Sequence, residues 1–256
     1  MIHFYKYQGT GNDFIMIDNR ESKFPKDNLK LISEICSRRF GIGADGLILI
    51  ENHTTEDFQM VYYNSDGSQS FCGNGARCAV RFASFLGMIS NSCSFEAIDG
   101  IHEAKISHET ISVKMGDVTQ LDQNVFDDYI LDTGSPHYVS FVDDLSLVDI
   151  IEVGKNIRYS PMYADDGINV NVVQVKKDHL SMLTYERGVE NETYSCGTGA
   201  TAVALGYADK IGLLKGVIDI EVKGGLLQVS FEKQEGKFVN IWLTGPAIET
   251  FKGTYD

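Results

Sequence analysis

Proline is scarce in this chain of 256 residues, with four in all, and tryptophan occurs once. So few prolines exclude a proline-rich linker, and no low-complexity segment or charged tail is present. Basic residues are outnumbered, 22 against 36 acidic ones, for a formal net charge of −14. Phosphate binding needs a basic face, so nucleic acid is not expected as a partner. No run of 18 apolar residues occurs, so no membrane-spanning helix is expected either. The opening "MIHFYKYQGTGNDF" lacks the basic and apolar regions of a signal peptide, and a cytoplasmic protein is the expectation. The five cysteines are odd in number and irregular in spacing. They suggest no disulfide framework, and a reducing compartment fits them.

With 43% hydrophobic residues the chain can bury a substantial core, as one large domain or two of about 125 residues. Two halves are favoured because the sequence repeats itself. "FCGNGARCAV" from Phe71 and "SCGTGATAVA" from Ser195 share the pattern C-G-x-G-A, with Cys72 and Cys196 124 residues apart. "TGNDF" from Thr10 matches "TGSPH" from Thr133, "DGLILI" from Asp45 matches "DGINVN" from Asp166, and "FEAIDGI" from Phe95 matches "IEVKGGL" from Ile220. One such pair is noise. Four in the same order, at offsets between 121 and 125, point to a duplication.

Each half is expected to open with strands, "DFIMID", "GLILIE" and "FQMVYY" in the first and "YVSFV", "VNVVQV" and "LSMLTYE" in the second. A helix follows each cysteine motif, about 75–88 and 198–212, then three strands within 94–115 and within 217–243. Two further helices are expected near 27–39 and 145–156. The two post-cysteine segments are apolar on most faces, so each helix should be buried on most sides. The expected fold class is α+β, with two pseudo-symmetric domains. Each is a curved, mostly antiparallel, barrel-like sheet wrapped around a central helix. The expected boundaries are 1–116 with 245–256 for the first domain and 117–244 for the second.

Cys72 and Cys196 therefore stand at helix entrances, where N–H groups without intrahelical partners and the macrodipole favour negative charge. A thiol there is acidified and an anion is bound well. If two such entrances face one another across a domain interface, they suit removal of a proton from carbon and its return from the opposite side. The α-hydrogen beside a carboxylate is a very weak acid, roughly 15 pKa units above a thiol, a gap of about 20 kcal/mol. Each oxyanion donor supplies about 2.7–4 kcal/mol, so several N–H groups plus desolvation are needed. No pyridoxal-type lysine motif is visible. Cys36, Cys78 and Cys93 read as small buried hydrophobes. The histidines at 3, 53, 102, 108 and 179 show no metal-ligand spacing.

In this order, "GTGNDF", "NSDG", "CGNGARC", "TGSPH", "YERG" and "SCGTGA" resemble the signatures of the diaminopimelate epimerase family, over nearly the whole chain. The resemblance implies a cofactor-independent, metal-free enzyme of lysine and peptidoglycan synthesis that interconverts LL- and meso-diaminopimelate. It also implies the two-domain fold, with the last dozen residues returning to the first domain. Cys72 and Cys196 would be the two proton-transfer groups. Gly73 with Asn74, and Gly197 with Thr198, would offer N–H groups to the reacting carboxylate. His137 and Glu186 would contact the amino group at the reacting carbon. Asn12, Asn64, Asn169 and Arg187 would hold the distal amino-acid end, where an arginine makes a bidentate carboxylate clamp.

The chain departs from the family pattern at Ser135, where asparagine is common before Pro-His, and at Gly46, where some members carry glutamine. The segment from Asn64 to Cys72 is one residue shorter than usual. Partner expectations are the small-molecule substrate, no nucleic acid, no membrane, and a homodimer as the candidate assembly. Two alternatives stand beside this reading. One is a proline or hydroxyproline racemase of the same architecture, which needs no clamp for a second amino-acid end. The other is a thiol redox switch without catalysis, which leaves the glycine-framed helix entrances unexplained.

Overall fold

The repeated sequence produces a repeated strand topology. The computed structural model describes residues 1–256. They form two units, Met1–Val113 with Gly245–Asp256, and Lys114–Thr244.

Unit 1 begins with the hairpin β1 (Ile2–Gly9) and β2 (Asn12–Asp18). Its two-residue turn puts Thr10 at φ 49° and Gly11 at φ 85°, the doubly positive backbone that matches strand twist in tight hairpins. Helix α1 (Leu29–Cys36) carries the chain to β3 (Gly46–Glu51), parallel to β2, and β4 (Phe58–Asn64) returns antiparallel. Helix α2 (Gly73–Phe85) then crosses to β5 (Ser92–Ala97), parallel to β4. The strands β6 (Gly100–Ser107) and β7 (Thr110–Lys114) continue the meander. The chain end returns as β17 (Ile248–Tyr255), antiparallel to β1.

Unit 2 repeats the pattern. β8 (Leu121–Gln123) and β9 (Tyr129–Asp132) lead to β10 (Pro136–Val142). Helix α3 (Ile150–Arg158) crosses to β11 (Asn169–Val175), parallel to β10, followed by antiparallel β12 (Leu180–Glu186) and the short β13 (Asn191–Glu192). Helix α4 (Gly197–Lys210) then crosses to β14 (Lys215–Val222), parallel to β12, and β15 (Gly225–Gln234) and β16 (Lys237–Pro246) complete the meander. In both units parallel pairs occur only across helical connections, because a parallel return needs a crossover.

The ladders fix the internal alignment. Phe14 opposes Gly46 and His137 opposes Asn169, an offset of 123 at both positions. The sequence match of Asp45 with Asp166 is therefore two residues out of register. The other three pairs keep offsets of 123 to 125.

Alternation along the strands sends one face to a central helix and the other to a covering helix. Phe14, Ile48, Met60 and Phe95 pack around α2, while Ile15, Leu47 and Leu49 pack with Ile32 and Ile35 of α1. In unit 2, Val139, Val173, Ile220 and Val229 pack around Val203 and Leu205 of α4. Val170 and Val172 face Ile150 of α3. Each fully buried Val or Leu contributes about 1.5–3 kcal/mol, and α4 is buried from Gly199 to Gly206. The α+β class and the pseudo-symmetric pair of mostly antiparallel sheets around central helices agree with expectation. β1, β8, β9, β13 and β17 are strands that the sequence reading left out. No helix is long and apolar enough to cross a membrane.

Candidate active site

In unit 1 the first thiol caps a helix. Cys72 is the N-cap of α2, with extended backbone (φ −135°, ψ 114°), and its Sγ accepts the Gly75 N–H at 3.5 Å. Beside it, Asn12 Oδ1 lies 3.5 Å from Sγ and 3.2 Å from Asn74 Nδ2. An amide oxygen only accepts, so the thiol proton points to Asn12. The other end of that amide donates to Asp45 Oδ2 at 2.5 Å, and Arg38 holds Asp45 Oδ1 at 2.6 Å. Arg38 also grips both oxygens of Asp13, at 2.7 and 3.1 Å, and Lys6 donates to the same carboxylate. Burial opposes ionisation of Asp13, but hydrogen bonds from Arg38 and Lys6 outweigh it and pull the carboxyl down to about 2. This charged cluster orients Asn12 with its oxygen toward the thiol.

Asn12 begins β2, Gly46 begins the parallel β3, and Asn64 ends the antiparallel β4, so the three share one end of the unit 1 sheet. Asn64 accepts from Tyr62 Oη at 2.9 Å and donates to Ser68 Oγ at 3.0 Å. A Cβ at Gly46 would stand 2.4 Å from the Tyr62 ring. The tyrosine occupies the room that a glutamine side chain there would need.

In unit 2 the second thiol sits in a neutral chain of hydrogen bonds. Cys196 is the N-cap of α4, extended (φ −124°, ψ 112°) and buried, with its Sγ 3.4 Å from Thr198 Oγ1. Thr198 Oγ1 is 2.9 Å from His137 Nε2, and His137 Nδ1 is 3.0 Å from Asn171 Nδ2. The amide of Asn171 is fixed by its other contacts, since Nδ2 also donates to the Tyr138 carbonyl and Oδ1 accepts from Thr184. Nδ1 of His137 therefore accepts and Nε2 carries the proton, which it donates to Thr198. The threonine hydroxyl is left to donate toward Cys196.

His137 is wholly enclosed. Burial, reinforced by the positive charge of Arg187, pushes its pKa from 6.5 down to about 3. The unfolded chain binds this proton from pH 6.5 downward while the folded one refuses it until about 3. The resulting stability is complete above 6.5 and is lost on acidification. His137→Gln is expected to flatten the acid limb of stability, which in the parent loses about 1.4 kcal/mol per pH unit below 6.5 from this group. Urea unfolding at pH 7.5 and 5.0 measures it, and equal losses in the two proteins would contradict the assignment.

The remaining expected residues lie at the matching sheet end of unit 2. Asn169 begins β11 and donates to Ser135 Oγ at 2.9 Å and to the Pro136 carbonyl, while its Oδ1 accepts the Arg187 N–H at 2.8 Å. Arg187 is exposed, with Nη1 on the Asp166 carbonyl at 2.7 Å and Nη2 3.4 Å from Ser135 Oγ. Glu186, half-buried, ends β12 immediately before it. The structure thus brings Cys72, Asn12 and Asn74 together in one unit. In the other it gathers Cys196, Thr198 and His137 in one group, and Asn169 with Arg187 in a second. Both ring nitrogens of His137 are engaged by protein groups.

Sequence reading missed Asn171, Asp45 and Arg38. Asn171 had a signal: two asparagines at alternate positions in the valine-rich "NVNVV" put amides on one strand face. Asp45 and Arg38 had none, because their pairing depends on the fold. Cys36, Cys78 and Cys93 are buried, and burial pushes each thiol up to about 12. They remain protonated.

The diaminopimelate epimerase family model matches residues 4–121 and 129–249. The chain is 54% identical over 254 residues to a diaminopimelate epimerase of Flavobacterium psychrophilum, covering 98% of each. It is 39% identical to that of Chlorobaculum tepidum, over 96% of this chain and 98% of the other. Among solved structures, a PhzF-family phenazine biosynthesis protein of Bacillus anthracis superposes with TM-score 0.79 at 13% identity, covering 99% of each chain. A hydroxyproline epimerase of Agrobacterium vitis superposes with TM-score 0.68 at 13% identity, covering 98% of this chain and 91% of the other. At such identities these two structures speak to the fold alone.

Proposed function

Since this chain belongs to the diaminopimelate epimerase family, we propose that it interconverts LL- and meso-diaminopimelate in lysine and peptidoglycan synthesis by proton transfer between substrate and two thiols. One thiolate takes the α-proton, and the other thiol delivers a proton to the opposite face. The exchange inverts the carbon and leaves the thiols with reversed protonation. The observation that carries this is the pair of cysteine-capped, buried helices, each with a thiol at its positive end. N–H groups of Gly73, Asn74, Gly197 and Thr198 are proposed to hold the reacting carboxylate, where enolate charge accumulates. Glu186 is assigned to the α-amino group. His137, enclosed and with both ring nitrogens on protein groups, is assigned to the second thiol through Thr198 and not to the amino group that the resemblance implied. No cofactor enters the sequence of steps.

Asn12, Asn64, Asn169 and Arg187 are proposed to hold the distal amino-acid end. Asn169 serves partly by fixing the Arg187 backbone. Arg187→Met is expected to raise KM for diaminopimelate by about a hundredfold with a smaller effect on kcat, as loss of a charge-assisted clamp predicts. Steady-state kinetics checks this, and an unchanged KM would remove the clamp. The same proposal carries a cytoplasmic location and a homodimer, tested by fractionation and sedimentation.

Incubation with diaminopimelate in D2O tests the reaction. Deuterium should enter one α-position while the LL and meso forms equilibrate. Exchange with proline and none with diaminopimelate would transfer the assignment to the racemase reading. Absence of exchange with any amino acid under reducing conditions would leave only the redox switch.

A further inference from the structure

Arg77 heads the fully buried side chains by size. It lies on α2, five residues after Cys72, in a helix whose first turns are otherwise apolar or small. Its Nη2 donates to Asn74 Oδ1 at 2.9 Å and to Thr10 Oγ1 at 3.1 Å, and its Nε to the Pro246 carbonyl at 3.4 Å. Nη1 has no partner. Every acceptor it has is neutral, and no carboxylate pairs with it. A buried cation is normally paired with an anion, because desolvating it is costly. Thr10, one of its acceptors, sits at φ 49°, a region where a β-branched residue is an outlier and local strain is held by the surroundings.

The charges around α2 leave Arg77 with one candidate counter-anion. Two thiols of the same helix stand by it: Cys78, the next residue, and Cys72, linked to it through Asn74 and Asn12. Cys78 stays protonated, since burial pushes it up to about 12. On the strands beside α2 and the loop before β3, Asp13 is held by Lys6 and Arg38, Asp45 by Arg38, and Glu249 accepts from Tyr7. Burial draws the Arg77 guanidinium down to about 10, which leaves it charged at neutral pH. The duplicated half has no buried cation at the matching position of its helix. The position 124 residues on is Thr201, buried and neutral, with its hydroxyl on the Gly197 carbonyl at 3.0 Å.

We propose that Arg77 is a positioning residue that supplies a standing positive charge to the Cys72 end of α2, offsetting the acceptor Asn12 that favours the protonated thiol, and that, through Asn74, sets the helix entrance. This deepens the proposed function, since it rests on Cys72 being a proton-transfer group. A cation raises the population of a nearby anion, and low local polarity lets the effect reach past the first contact. Cys196 has instead the Thr198–His137 chain, and the cation that reaches it, Arg187, is exposed.

Alkylation by iodoacetamide as a function of pH reads the thiolate directly, with peptide mass spectrometry assigning the modified cysteine. Cys72 is followed in full-length Cys196→Ala protein, and Cys196 in Cys72→Ala protein. Arg77→Gln, which keeps hydrogen bonding without charge, is expected to raise the Cys72 midpoint by about one pH unit, slowing alkylation about tenfold below it. The Cys196 midpoint should not move. Arg77→Lys, which keeps charge without the planar fork, should hold the Cys72 midpoint near the parent value. An unmoved Cys72 midpoint in Arg77→Gln overturns the proposal, as does an equal shift at both thiols. So does an Arg77→Lys midpoint as displaced as that of Arg77→Gln, which would mean that the hydrogen bonds alone matter. Should Arg77→Gln fail to fold, Arg77→Lys decides by itself: a Cys72 midpoint within a few tenths of the parent supports the proposal, and one raised by about one pH unit overturns it. The alkylation readout needs no substrate, so failure of diaminopimelate turnover alongside these shifts would sink the proposed function and leave the charge assignment standing.

Discussion

Cys72→Ala and Cys196→Ala should each lower LL–meso interconversion by at least about a thousandfold, because each removes an acid–base group for which alanine offers no substitute. The two variants should nevertheless differ. With one thiol left, a proton can still be withdrawn and returned on the same face, so deuterium should enter one stereoisomer without inversion. The stereoisomer that retains exchange in Cys72→Ala should be the one that loses it in Cys196→Ala. Stability should change little, since Cys72 is half-buried with one weak cap contact and Cys196 makes no side-chain cap bond to its helix. Proton NMR in D2O on each pure isomer, with thermal unfolding alongside, measures both effects. Turnover above a tenth of the parent rate in either variant would refute two-thiol chemistry.

Gly199→Ala ranks second in expected effect. Its added methyl would stand 2.6 Å from Asn171 Oδ1, and 3.3 Å from both His137 Cε1 and Cys196 Cβ. The first distance is shorter than any packed carbon tolerates, and Asn171 cannot step aside without leaving Thr184, the Tyr138 carbonyl and His137. Overpacking of this kind costs about 1–3 kcal/mol of stability. Activity should fall further, by about a hundredfold, because the Asn171–His137–Thr198–Cys196 chain is displaced as a unit. Kinetics and urea unfolding on the same preparation separate the two losses. Parent-like kcat with only reduced stability would show that this chain plays no part in turnover. The matching glycine of the first half, Gly75, would press on the flexible ends of Ile48 and Met60 at 3.1 and 3.4 Å. Its alanine variant should be milder.

Much of the architecture was written locally. Glycine-framed cysteines ahead of apolar runs become helix entrances wherever such a segment is buried, and both did. The short aliphatic-rich "GLILIE" and "LSMLTYE" segments became strands buried on both faces, as brief apolar runs bounded by polar and glycine residues do between two helical layers. The strands left out are informative. "IHFYKYQG" mixes lysine, glutamine and histidine with aromatics, and β17 is "IETFKGTY". Neither shows clean alternation, and β17 is a strand because β1 lies beside it, with Ile2 opposite Tyr255, 253 residues on. Long-range pairing of that kind leaves no mark in a short window.

By itself the sequence determined the duplication, the central helices, the two thiols at their entrances and the family, because all of these rest on residue type and short spacing. Tertiary structure alone decided which groups surround those thiols. It set Arg38 against Asp45 and so turned Asn12 toward Cys72, closed His137 off from water as a neutral donor to Thr198, and left Arg77 charged without a carboxylate. Electrostatic environment depends on burial and on neighbours brought in by strand register, and no stretch of chain read alone contains either.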